Sequence, residues 1–179
     1  MRAKEHTVRT NRYAGSFSAL ILLFSLAVNG YGQQGTFGDR CLGIWTGQMY
    51  IYAGNTVRDS VPVRLEVAKT ADSTAWSWRT EYLSEKMPVT KDYVLRVKDA
   101  AKGWYITDEG GGVELHDYLF GNKLYTVFDV EGIVLTSTYE WLGDQLIFEV
   151  TSGKQIQGGA EGLRNFSVNN LQRVVFKKQ

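Results

Sequence analysis

The chain is poor in cysteine, proline and histidine, with one, two and two among 179 residues. A single cysteine, Cys41, excludes an intrachain disulfide, so packing and backbone pairing must hold the fold. Asp39 and Arg40 stand where a lipidated cysteine would follow small apolar residues. Charge of one sign is lacking too: the formal net charge is +1. With no basic run, there is no electrostatic case for nucleic acid or for an anionic membrane as partner. Beyond a turn or two no segment carries the helical period, and no repeat exceeds a strand–turn rhythm. Motifs that carry chemistry are absent: there is no nucleophile elbow, no Cys–His pair, no phosphate-cradling glycine loop before Lys-Ser/Thr, and no zinc-ligand spacing. These absences point away from an enzyme and from any cofactor.

The one long apolar run lies at the start. Arg2, Lys4, Arg9 and Arg12 form a basic region, Ser16 to Val28 is apolar, and the small residues Gly30 and Gly32 follow. This is the pattern of a secretory signal peptide over residues 1–32, with cleavage expected near Gly32–Gln33. The apolar run is short for a membrane span, which needs about 20 residues. A secreted or periplasmic location follows as an expectation, with no span left after cleavage. Setting residues 1–32 aside removes four basic residues and one acid, leaving 16 basic and 18 acidic and a formal charge of −2. Residues 33–179 suit one domain, of a size that buries about two-thirds of its unfolded surface. In a secreted chain the lone Cys41 thiol either cross-links a partner or lies buried near the first strand.

From Leu42 onward the apolar residues recur with period two, the strand period. Gly43, Trp45, Gly47, Met49 and Ile51 share one face, then Val61, Val63, Leu65 and Val67, then Trp76, Trp78, Thr80 and Tyr82. Pro62 sits near a strand start, where proline is tolerated. Tyr93, Leu95 and Val97 follow a loop over 83–90, and Gly110-Gly111-Gly112 marks a hairpin. Further faces hold Leu124, Thr126 and Phe128, then Leu135, Ser137, Tyr139 and Trp141, then Leu146, Phe148 and Val150. A polar, glycine-rich loop is expected from Ser152 to Asn170, before a closing strand at 171–177. About ten short strands separated by tight turns predict an all-β fold. The favoured form is a single antiparallel up-and-down β-barrel of about eight to ten strands, since closure removes exposed edges.

Gly43-Ile44-Trp45 opens the first strand and Arg173 lies on the last. This pairing resembles the closure of lipocalin-like barrels of the calycin superfamily. The resemblance implies that Trp45 packs at the closed end with Arg173 across its indole, as a cation–π contact. It also implies a cup that holds a small hydrophobic ligand. The match is one of fold: the link at 53–60 is too short for a helical lid, and both the helix before the last strand and the usual disulfide are missing. A lidless barrel of about ten strands also resembles the nitrobindin type, which binds haem through a histidine near its C-terminus. His6 and His116 lie elsewhere, so haem is not expected.

The candidate ligand-binding residues are the aromatics on predicted inner faces: Trp76, Trp78, Tyr82, Tyr93, Phe128, Tyr139, Trp141 and Phe148. One face of every strand of a barrel points to a common interior. Aromatic walls with a few polar groups, here Thr80, Thr126 and Ser137, suit an apolar ligand such as a fatty acid or other lipid. The same residues serve equally as a filled core. In that case the barrel is an envelope interaction module, binding a protein partner through loops such as 152–170. The acidic hairpin from Asp108 to Asp117 reads as solvated turn residues rather than a metal loop. Glu114 and His116, two apart on one strand face, make a weak acid–base pair that requires both to open into the interior. Asn165-Phe166-Ser167 fits an N-glycosylation sequon.

Overall fold

Alternating apolar residues give strand after strand, each hydrogen-bonded to the next. The computed structural model describes residues 35–179; the expected signal segment lies outside the described residues. A short helix α1 (Phe37–Arg40) precedes β1 (Gly43–Ala53), β2 (Thr56–Lys69), β3 (Ala75–Tyr82), β4 (Val89–Asp99) and β5 (Trp104–Gly110). The chain continues through β6 (Val113–Phe120), β7 (Lys123–Val130), β8 (Ile133–Trp141), β9 (Gln145–Ile156), β10 (Asn165–Phe166) and β11 (Asn170–Lys178). Every pairing is antiparallel. Sequential hairpins run from β1 to β9, and β11 lies between β9 and β1, which closes a ten-strand barrel. Residues 155–156 of β9 outrun β11, and β10 pairs with them there as an extra strand.

Two boundaries differ from the sequence reading. β2 begins at Thr56, so the first link is a two-residue turn rather than an eight-residue one. Residues 56–60 are mostly polar and all exposed at this end of the hairpin, and strand pairing continues through them. The expected loop after Ser152 is partly ordered as well. It returns along β9 as a strap, held by Ser167, whose hydroxyl accepts from the Lys154 N–H (3.0 Å) and donates to its carbonyl (3.1 Å). Gly153 makes room, because a Cβ there would meet the Ser167 carbonyl oxygen at 1.6 Å.

α1 plugs one end of the barrel. Thr36 and Asp39 form a reciprocal capping box at its start. Phe37 is fully buried and its N–H donates to the Tyr105 hydroxyl at 3.3 Å. Gly38 lies flat on the Trp76 ring, where a Cβ would sit 2.2 Å from the indole. Asp39 accepts from the Trp76 indole N–H at 3.2 Å and pairs with Lys69 at 2.6 Å. Burial pulls the Asp39 carboxyl pKa up, but Lys69 and the hydrogen bonds from Thr36 and Trp76 bring it below the usual value. Arg40 covers Phe37 and Trp141, with its guanidinium carbon 5.6 and 5.4 Å from the ring centres.

The expected closure is half present. Trp45 is fully buried, and its indole N–H donates to the Cys41 carbonyl at 2.7 Å. Arg173 is not across it. Register pairs Trp45 with Lys178 and Tyr50 with Arg173. Period two then sends Val174, Phe176 and Lys178 to one side of β11 and Arg173 to the other. Lys178 therefore stands over Trp45, its Nζ 5.3 Å from the ring. Arg173 instead pairs with Glu149 on the outer face at 2.9 Å. Cys41 is fully buried beneath α1, and burial pushes its thiol pKa up to about 12. That leaves almost no thiolate for cross-linking.

Candidate binding cavity

The barrel is filled on one side and hollow on the other. Trp45, Met49, Val63, Leu65, Val174 and Phe176, from β1, β2 and β11, form one buried cluster, are at most 1% exposed and line no part of the cavity. The cavity lies against the opposite wall, β3 to β9, and holds about 180 Å³. Its aromatic lining is Trp78, Tyr82, Tyr93, Phe128, Tyr139 and Phe148. Tyr139 stacks on Phe148 with centroids 4.4 Å apart and meets Trp78 edge-on at 5.1 Å. Burial raises the Tyr139 hydroxyl pKa. Tyr93 is pushed up to about 12 by burial and the nearby Glu109 carboxylate, and the same two causes raise Tyr82.

Six of the eight aromatics expected at the site thus share one cavity, as do Thr80, Thr126 and Ser137. Trp76 and Trp141 do not reach it. Both face inward, but at the end closed by α1, where Gly38 and Arg40 cover them. Period two assigns a side chain to the inner face; it carries no information on depth along the barrel.

Sequence reasoning missed the cavity's acid. Asp117 lines the cavity and is only 2% exposed. It accepts hydrogen bonds from Thr107 Oγ1 at 2.7 Å and from Thr126 Oγ1. Burial raises its carboxyl pKa, and the two threonine hydroxyls only partly offset this. The signal was legible, since Asp117 shares parity with Leu115 and Leu119 on β6. The acidic hairpin is in fact divided by the sheet. Glu109 and Asp117 face inward, while Asp108 and Glu114 pair outside with Arg96 at 3.4 and 2.5 Å. His116 lies on the outer face beside Trp104, 5.4 Å between ring centres. The Glu114–His116 acid–base reading fails there, because neither side chain opens into the interior. Among the described residues no group of three or more His, Cys, Asp or Glu side chains is placed to hold a metal ion.

No family model matches the sequence, and no curated protein matches it. Solved structures do. A protein of unknown function of the DUF3598 family from Nostoc punctiforme superposes with a TM-score of 0.54 at 12% identity, over 79% of this chain and 48% of that one. The likeness is one of fold, a closed antiparallel up-and-down β-barrel. This chain spans about half the length of the Nostoc protein. Looser likenesses include the fluorescent protein UnaG, with a TM-score of 0.45 and 13% identity over 79% of this chain and 98% of that one. The zebrafish ileal bile acid-binding protein complexed with cholic acid gives 0.40 and 17% over 78% and 99%. No helix among the described residues is long and apolar enough to cross a membrane.

Proposed function

We propose that this barrel binds a small, mainly apolar molecule in the cavity between β3 and β9, and that it is not an enzyme. The observation that carries the reading is a cavity of about 180 Å³ walled by six aromatic side chains inside a closed barrel. Its size narrows the ligand. Drug-sized sites span roughly 300–1,000 Å³, whereas an apolar cavity of about 150 Å³ takes benzene. The cavity therefore suits one ring or a short branched chain, and a long acyl chain would protrude through the open end. Titrating the protein with 2-phenylethanol while following tryptophan fluorescence and side-chain NMR tests this. Saturable changes at Trp78 and Phe128 support the reading; no uptake at any concentration overturns it.

Delivery to the periplasm or outside the cell belongs to the same proposal, on the strength of the residue 1–32 pattern. N-terminal sequencing of the protein recovered from a secretory host should begin at or near Gln33. Recovery of the intact N-terminus would remove it.

A second reading, a partner-binding barrel, is favoured by the strap after β9. Leu163, Phe166 and Val168 are exposed there beside the open end. Changing all three to serine should leave ligand uptake intact if the strap serves only a protein partner.

A further inference from the structure

The polar groups of the cavity indicate which small molecules it takes. This inference rests on the ligand-binding reading above and names the ligand's chemistry. Two carboxylates line the cavity, Glu109 and Asp117, against one ammonium, Lys91, and no guanidinium. Lys91 is exposed and belongs to the open end. Asp117 lies deeper, opposite Tyr105 on β5, the residue that ties α1 to the barrel. Among the described residues Asp117 has no ion pair; its hydrogen bonds come from the Thr107 and Thr126 hydroxyls and the Thr107 backbone, none of them charged. A carboxylate offers about four acceptor positions, so acceptor capacity is left over. A buried charge without a counter-charge is costly, and a cationic guest removes that cost. Six aromatic side chains around the same space act in the same direction, since the faces of such rings attract cations. A ligand carboxylate meets the opposite conditions: two like charges nearby and no arginine to receive it.

We infer that the cavity selects a small aromatic or branched aliphatic amine, its nitrogen donating to Asp117, and that it rejects carboxylates such as fatty acids. The raised carboxyl pKa of Asp117 fits the same picture, because it reports a charge that the empty barrel solvates poorly.

Three probes of similar size separate the possibilities: 2-phenylethylamine, 2-phenylethanol and 3-phenylpropanoate, titrated by NMR at neutral pH. The amine should bind about tenfold or more tighter than the propanoate, with the alcohol between, as expected for one charge-assisted hydrogen bond. In Asp117→Asn the amine should lose its advantage over the alcohol, while the alcohol's own affinity changes little. Propanoate binding as tightly as the amine overturns the inference, as does an amine-to-alcohol ratio unchanged by Asp117→Asn. In either case alcohol uptake leaves the ligand-binding reading standing. If none of the three enters, that reading falls and the inference with it. Should Asp117→Asn fail to fold, the ranking of the three probes on the native protein still decides.

Discussion

The wall formed by β11, β1 and β2 and the wall formed by β3 to β9 obey the same period-two rule, yet one is solid and the other hollow. Side-chain size does not explain this, because the hollow wall carries most of the aromatics. The solid wall combines Trp45, Met49 and Phe176 with a close approach of two strands. Gly47 of β1 leaves no room for a Cβ, which would meet the Val175 carbonyl oxygen at 2.6 Å. The hollow wall places threonine, serine and acid at inward positions among its rings. Thr107 and Thr126 hydrogen-bond to Asp117 within the wall, and so do not collapse into the space. Where inward residues are apolar the barrel fills, and where polar groups are tied to one another within the wall it stays open.

Truncation should separate the two walls most sharply. Trp45→Ala removes a fully buried ring and should cost about 3–5 kcal/mol in a urea melt, as large aromatic deletions in cores do. Phe128→Ala, on the cavity's partly exposed rim, should cost well under half of that and enlarge the cavity. Equal losses would mean that the wall is not hollow in solution.

Overfilling comes next. Gly47→Ala should destabilise by roughly 1–3 kcal/mol, because backbone rather than a flexible side-chain end blocks the new methyl. Ser137→Ala, which lines the cavity, should be close to neutral. A neutral Gly47→Ala would show that β1 and β11 can part.

The cavity acid yields a pH test. Asp117 has a folded pKa raised above its ordinary 3.8, so the native state holds the proton more tightly than the unfolded chain. Its contribution to stability is therefore greatest at low pH and is lost as pH rises from about 3.8 through the folded pKa. Asp117→Asn should remove that decline and raise the melting midpoint at neutral pH. A stability profile unchanged by the substitution over this window would place the acid's proton affinity at its ordinary value. Native Cys41 should meanwhile resist alkylation at pH 8 until the protein unfolds; labelling at the rate of a free thiol would contradict its burial.

The smallest effects distinguish the two basic residues of β11. Lys178→Ala should cost about 0.5–1 kcal/mol through its lost contact with Trp45. Arg173→Ala, an outer-face ion pair, should cost about 0.2–1 kcal/mol and lose that cost at high salt. The tryptophan emission of Trp45 should respond to the Lys178 change alone.

Strand count, inward faces and antiparallel order were legible from Trp45, Val63, Trp78 and Phe148 without any coordinates. The positions of β2 and the strap were not. Thr56 to Ser60 and Ser152 to Ile156 are mostly polar pieces of strand, each with a single apolar residue, Val57 or Ile156, and so no alternating face to betray them. All eight candidate aromatics lie on the inner face, as period two requires, and six of them share the cavity. Trp76 and Trp141 depart because the four residues of α1 fill that end of the barrel. Asp117 was legible by its parity with Leu115 and Leu119, but composition outweighed parity, since a hairpin rich in Asp, Glu and Gly reads as a solvated turn.

Alternation alone makes this chain a meander of amphipathic strands, because it is a local property set by the geometry of the extended backbone. Three things were left to the tertiary structure: that Lys178 rather than Arg173 lies over Trp45, that a plug seals one end, and that a single buried acid faces a half-empty interior. Each depends on the register between strands far apart in the chain and on depth along the barrel axis. A period of two leaves both undetermined.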